Sequence, residues 1–296
     1  MSWLVILRTN PRATERPSFG VPTRTRRCGA SHFYLSHRTT RPRRLEAEYD
    51  QMAEEYDATR DAATEQEING IAGSLEGFKT VLDVGVGTGR FAKPIAGLGF
   101  EVTGVDVSRR MLLKAREKGV DRLLLGDAYS LPFKEKTFDA SIIIHVLHIV
   151  VDWARVMREL GRVTRGNVIT ILNVPQVPTS PTGAEEGRVA NPIRSDVGGY
   201  PVRTQHRMWQ NEQELMARVP PMKLERIRDE IVSMPVADAL RRLEAKRSMA
   251  AQMVPPEVRR AMMERVIAMS AGQVVHRRIV EDLAVWKADQ FEAPFG

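Results

Sequence analysis

A chain of 296 residues, 43% hydrophobic and 27% charged, suits one large α/β domain with appendages or two small domains, and its apolar share supports a sizeable core. No apolar run has the length and purity to span a bilayer: the longest, 140–153, carries two histidines and an aspartate. The single cysteine, Cys28, excludes an internal disulfide and a cysteine-held metal, and fits a cytoplasmic setting.

The formal charge of +7 is unevenly spread. Residues 1–44 hold ten arginines and one acid, Glu15, a local +9 that leaves the remainder near −2. The basicity belongs to a tail, so no stable nucleic-acid partner follows from it. That tail, rich in Arg, Thr, Ser and Pro and without a sustained apolar period, reads as a disordered basic extension. A transit segment and a basic arm for nucleic acid or anionic lipid are the alternatives.

Helical character begins near Leu45, and Tyr49, Met52, Ala53 and Tyr56 recur at three- and four-residue spacing on one face. Strands and helices then alternate. The pattern gives a strand at 80–84, a helix at 90–98 strained by Pro94, a strand at 101–105 and a helix at 108–118 capped by Ser108. Strands follow at 123–125 and 140–144, the latter apolar as if covered on both faces, then a helix at 153–160 and a strand at 167–172. Prolines and glycines break the rhythm over 173–210, which reads as a long loop or substrate lid over the ligand-binding edge. A short helix at 212–218 and a strand at 223–232 come next. Two helices, 236–251 and 256–270, carry apolar stripes through Val236, Leu240 and Leu243 and through Val258, Met262, Val266 and Met269. Residues 274–286 alternate as a last strand, with a helix as the rival. The expected fold is α/β and Rossmann-like: a mostly parallel seven-stranded sheet with helices on both faces, N-terminal helices, and a helical insertion before the last strand. One domain is expected over 45–296, with 173–210 and 233–272 as variable insertions; a homodimer is left open.

The strongest local signal is the run Val81-Leu82-Asp83-Val84-Gly85-Val86-Gly87-Thr88-Gly89-Arg90, between an expected strand and an expected helix. Glycine there permits backbone angles closed to other residues and removes the side chain that would separate backbone from ligand. A helix start beyond it offers free N–H groups to a carboxylate or phosphate. Arg90 stands where a dinucleotide fingerprint wants Gly or Ala, which argues against NAD. Asp106 ends the second strand, where a carboxylate can accept both hydrogen bonds of a ribose diol. Asp127, in Gly126-Asp127-Ala128 after the third strand, could accept an adenine amino proton, and the Ala128 N–H could serve a ring nitrogen. A surface turn or helix cap is the bland alternative for each acid.

In these motifs the chain resembles the class I S-adenosylmethionine-dependent methyltransferases. Within them it is similar to the broad group holding the ubiquinone and menaquinone biosynthesis enzymes and many small-molecule methyltransferases. The matching pieces are Tyr49-Asp50, Tyr56-Asp57, Val81–Gly89, Gly104–Ser108, Gly126–Phe133, Phe138-Asp139-Ala140 and His145–Val151, spread over 48–172. The resemblance implies S-adenosyl-L-methionine as cofactor. It places Gly85, Gly87 and Gly89 along the methionine part, Asp83 toward the ammonium, Asp106 on the ribose, and Asp127 and Leu131 at the adenine. Tyr56 would cover the pocket.

A sulfonium already activates the methyl group, so alignment, exclusion of water and, for some acceptors, a base suffice. His145 and His148, near the end of the fourth strand, are the candidate bases or ligand contacts; metal binding is not expected. Tyr200, His206 and Trp209 could close over an apolar or cationic acceptor, and the late methionines could line an oily channel or simply pack. A small-molecule acceptor of apolar or aromatic character is the leading expectation. The alternatives are an RNA or protein acceptor, a nicotinamide-dependent oxidoreductase, and a non-catalytic binding protein.

Overall fold

The structure, a computed structural model, describes residues 4–5, 49–50, 53–54, 56–57, 60–174, 210–239, 256–269 and 272–292. The expectations for most of the basic tail, for the 175–209 loop with Tyr200, His206 and Trp209, and for Leu240 and Leu243 lie outside these residues.

Eight strands form one sheet: β1 (Leu4–Val5), β2 (Thr80–Val84), β3 (Glu101–Asp106), β4 (Arg122–Leu125), β5 (Phe138–Ile142), β6 (Thr164–Asn173), β7 (Lys223–Pro235) and β8 (Val274–Lys287). Their order is β1-β4-β3-β2-β5-β6-β8-β7. The seven expected strands are all present; the two-residue β1, parallel to β4, is added at one edge. Pairing is parallel from β1 to β6 and antiparallel for β6–β8 and β7–β8, which makes 274–287 a strand and rejects the helical rival. The chain walks from β2 outward to β4 and returns to β5 on the other side of β2. The sheet therefore reverses its winding between the carboxyl ends of β2 and β5, the crevice where open α/β sheets take ligands.

The helices are α1 (Glu65–Ser74), α2 (Ala92–Gly97), α3 (Arg109–Glu117), α4 (Trp153–Val163), α5 (Gln210–Arg218) and α6 (Pro256–Met269). Two apolar clusters sandwich the sheet. Leu82, Val84, Val105, Leu160 and Trp286 lie in one, and Val81, Val102, Ile95, Leu112 and Ile169 in the other. Side chains one apart along β2 thus go to opposite faces, as a strand's period of two demands.

Local chemistry fixes the ends. A capping box starts α1: the Thr64 hydroxyl accepts the Glu67 N–H at 3.2 Å and the Glu67 carboxylate accepts the Thr64 N–H at 2.6 Å. Ser108 caps α3 through the Met111 N–H at 3.2 Å, as expected. The helix expected from Arg90 starts two residues later, at Ala92, with Pro94 in its first turn between the Lys93 N–H on the Gly89 carbonyl and the Ile95 N–H on the Phe91 carbonyl, both at 3.1 Å.

At the sheet edge opposite the crevice, Asp139 joins β5 to β2. Its carboxylate accepts the Lys79 N–H at 3.1 Å and the Thr80 N–H and hydroxyl at 2.9 and 2.8 Å, and meets Arg165 at 2.9 Å. These donors hold its pKa down to about 2, the Thr80 N–H foremost. The Phe138-Asp139-Ala140 motif therefore serves the fold.

In the α6 stripe Val258 and Met269 are 45% and 76% exposed. The β7–β8 ribbon continues to Pro235–Val274, seven residues past the last β6 pair, Asn173–Glu281, and among the described residues no third strand lies beside that part of it. A helical period shows which residues share a face, not whether another surface comes to meet that face.

Candidate functional site

The glycine turn leaves β2 and folds against β3. Gly85 and Val86 donate their N–H groups to the Val105 carbonyl at 2.7 and 3.0 Å, and Gly87 donates to the Asp106 carboxylate at 2.9 Å. The other Asp106 oxygen accepts the Ser108 N–H at 2.8 Å, and its carbonyl accepts the Gly126 N–H at 3.0 Å, which brings the Asp127 loop alongside. The ends of β2, β3 and β4 thus meet at Asp106.

Gly85, Gly87 and Gly89 all have positive φ, at +76, +54 and +82°, so any side chain there is strained. Their surroundings differ. A Cβ on Gly85 would stand 2.3 Å from Val146 Cγ2, so the turn is packed directly against the loop after β5. A Cβ on Gly89 would stand 2.9 Å from Val120 Cγ2 and 3.4 Å from Ala115, so helix packing requires that glycine. A Cβ on Gly87 would meet only the Gly85 carbonyl at 3.9 Å: this glycine faces open space.

Asp83, next to last in β2, is 4% exposed, and among the described residues its carboxylate has no hydrogen-bond or ion-pair partner. Burial and then the nearby Asp106 raise its pKa to about 8. Asp106 is raised to about 6 by burial, with the N–H groups of Ser108 and Gly87 pulling the other way. A buried acid without a counter-charge is costly unless a cation completes it. Asp83 therefore fits an ammonium, and Asp106, with lone pairs left beyond its two N–H donors, fits a diol.

The Asp127 loop is held by hydrogen bonds. Asp127 accepts the Tyr129 N–H at 2.9 Å, Glu159 of α4 accepts the Leu131 N–H at 2.8 Å, and Arg162 donates to the Leu131 and Phe133 carbonyls at 2.9 and 2.8 Å. Ala128 packs half-buried against the core, and Leu131 is buried within it.

His145 and His148 sit half-buried in the loop after β5, which is pinned by Tyr129 accepting the Val151 N–H at 2.7 Å. His145 has φ +58° and lies 6.2 Å, ring to ring, from Phe91. Burial, followed by Arg90, His148 and Arg60, lowers its pKa to about 3; burial and Arg60 lower that of His148 to about 4. Both are neutral at pH 7 and weakly basic, which suits hydrogen bonding and wall contact better than proton removal.

The N-terminal segment closes over the turn through a ladder of charges. Asp50 accepts the Ser108 hydroxyl at 2.6 Å and the Arg110 N–H at 3.1 Å, Glu54 meets Lys114 at 2.8 Å, and Asp57 meets Lys118 at 2.6 Å and accepts the buried Thr88 hydroxyl at 2.6 Å. Tyr56 belongs to this cover, its ring 6.5 Å from Tyr49 and under the Arg60 guanidinium at 5.3 Å. Behind the turn, Arg90 pairs with the fully buried Glu67 at 3.0 Å. Sequence reasoning quoted Asp50 and Asp57 without giving them a role. The signal was there: acids at 50, 54 and 57 match cations at 110, 114 and 118 at helical spacing. Among the described residues no group of His, Cys, Asp and Glu is arranged to hold a metal ion, and no helix is long and apolar enough to cross a membrane.

Residues 82–172 match the family model described as a methyltransferase domain. The chain is 34% identical over 134 residues to a demethylmenaquinone methyltransferase of Renibacterium salmoninarum, covering 42% of this chain and 56% of that protein. It is 36% identical over 118 residues to a phosphatidylethanolamine N-methyltransferase of Cereibacter sphaeroides, covering 37% and 58%. It thus spans less than two thirds of the length of these relatives. Among solved structures it is similar to the YcgJ protein of Bacillus subtilis, at 18% identity and TM-score 0.46 over 74% of this chain and 97% of that one.

Proposed function

We propose that this chain, which carries a class I S-adenosylmethionine-dependent methyltransferase domain, transfers a methyl group from S-adenosylmethionine to a small-molecule acceptor of apolar or aromatic character in the cytoplasm. The observation that carries the reading is the buried Asp83 carboxylate, without a hydrogen-bond or ion-pair partner among the described residues, on the strand that leads into the open turn of Gly87, with Asp106 nearby at the end of the next strand. The names of the two relatives add support, since neither describes a polymer as acceptor.

When bound, the cofactor supplies a methyl group activated by a sulfonium. The residues of the chain do the rest. Asp83 receives the ammonium, Asp106 the ribose hydroxyls, and Asp127 with the Ala128 N–H the adenine edge, beside Leu131. Gly87 leaves room for the methionine part, which Gly85 and Gly89 support from behind. Tyr56 and the charge ladder cover the site and exclude water. His145 and His148 contact the ligands as neutral imidazoles.

Calorimetry tests donor binding: S-adenosylhomocysteine is expected to bind at about micromolar Kd, near −8 kcal/mol, and NAD not at all. Clear binding of NAD with none of S-adenosylhomocysteine would overturn the reading. Labelled-methyl transfer into a fractionated extract of small molecules and RNA tests the acceptor, and label confined to RNA would move the proposal to a polymer.

A further inference from the structure

Helix α5 carries a carboxylate that the site above does not use. Leu215, Met216 and Val219 pack into the core. Glu212 precedes them by three, four and seven residues, the spacing that puts all four on one helix face. The helix starts at the crevice edge of the sheet. At its start the Asn211 side-chain amide donates to the carbonyls of Leu147 and Val150, both at 2.8 Å, in the loop that holds His148. At its end the Val219 carbonyl accepts the Trp286 indole N–H at 2.7 Å, and Trp286 pairs with Val168 in the middle of β6. Glu212 is therefore the crevice end of a core-facing stripe, where packing alone would place a leucine or methionine.

Among the described residues Glu212 has no hydrogen-bond or ion-pair partner. It is half-buried, and burial raises its pKa to about 7. An acid held without a partner in such a position lowers stability, and such costs collect at functional sites.

Resting on the methyltransferase reading, we propose that Glu212 is a catalytic residue that takes the proton of the acceptor, which makes the acceptor an O–H or N–H nucleophile: an alcohol, a phenol or an amine. The acceptor's lone pair forms the bond to the methyl carbon. The carbon–sulfur bond breaks with its electron pair passing to sulfur. The acceptor's proton moves to the Glu212 carboxylate and from there to solvent. An acid that titrates near neutrality is matched to this task, whereas the two histidines, at about 3 and about 4, are poor proton acceptors.

The full-length chain and its Glu212→Gln variant are given labelled S-adenosylmethionine and the small-molecule extract side by side, the methylated atom is located by NMR, and S-adenosylhomocysteine affinity is measured by calorimetry. The expected result is label on oxygen or nitrogen, a kcat at least about 100-fold lower in the variant, and donor-site affinity within about two-fold of wild type. Label on carbon or sulfur, or a variant with near-normal kcat, overturns the assignment and leaves the transferase reading standing. Should the variant fail to bind S-adenosylhomocysteine, the atom labelled by the wild type decides alone. A wild type that binds S-adenosylhomocysteine yet labels nothing removes the transferase reading and this assignment with it.

Discussion

The Gly87 N–H donates to the Asp106 carboxylate at 2.9 Å, so the glycine turn after one strand is held by the acid that ends the next. Asp106 shapes the turn and, in the proposed function, also receives the ribose. Asp106→Ala removes both and is expected to weaken S-adenosylhomocysteine binding by about 10- to 100-fold, the range for losing one or two hydrogen bonds to a charged acceptor. Titration calorimetry measures it; an unchanged isotherm would remove Asp106 from the donor site.

The three glycines separate by experiment because a new side chain meets something different at each. Gly87→Val enters open space and is expected to abolish donor binding at a stability cost of about 1–3 kcal/mol, set by its positive φ. Gly89→Val collides with Val120 and Ala115, so its expected effect is a lowered Tm first and weaker binding only as a consequence. Gly85→Ala drives into Val146 and shifts the loop that bears His145 and His148, costing turnover as well as stability. Thermal melts paired with calorimetry distinguish the three; equal binding losses at equal Tm would contradict the geometry.

The core strands were legible because their chemistry is local. The apolar runs of β2 and β5, the glycines between β2 and α2, and the Ser108 cap each declare themselves within a few residues. What stayed hidden depends on distant partners. Asp139 stood in a motif of the resemblance without a role, and its role comes from Thr80 and Arg165. At Gly89 the turn motif gave no sign of the tight packing against Val120 that also demands a glycine. Glu212 drew no notice because one acid near a helix start is ordinary; only the burial of Leu215 and Val219 reveals which way its face turns.

The charge ladder is expected to govern how fast the donor leaves. Its members are largely exposed, so each pair contributes little to the fold, but Asp57 also holds Thr88, inside the glycine turn. Asp57→Asn should raise the S-adenosylhomocysteine dissociation rate about two- to five-fold with little change in Tm, and salt should accelerate dissociation in the wild type more than in the variant. Stopped-flow dissociation at two salt concentrations checks this. A rate insensitive to both salt and substitution would show that the cover does not control exit.

The buried acids give the donor-free chain a pH dependence of definite sign. Asp83, raised to about 8, keeps in the folded state a proton that the unfolded chain releases near the ordinary 3.8, so its contribution to stability falls as pH rises from about 4 to about 8. His145 and His148, lowered to about 3 and about 4, act oppositely: the unfolded chain takes up their protons first, so stability falls as pH drops below about 6.5. The two trends oppose each other below pH 6.5. Above it Asp83 dominates, joined by Glu212 as far as about 7. The Tm of the donor-free chain should therefore fall between pH 6.5 and 8, and Asp83→Asn should remove most of that fall, a gain on the order of a few kcal/mol at pH 8. The same substitution deprives the ammonium of its counter-charge, so donor affinity should drop more than about ten-fold. Because Asp83 must ionise to receive the ammonium, binding to the wild type at pH 7 should release a proton, seen as a dependence of calorimetric heat on the buffer's ionisation enthalpy. A more stable Asp83→Asn chain that still bound the donor normally would separate the buried charge from the site.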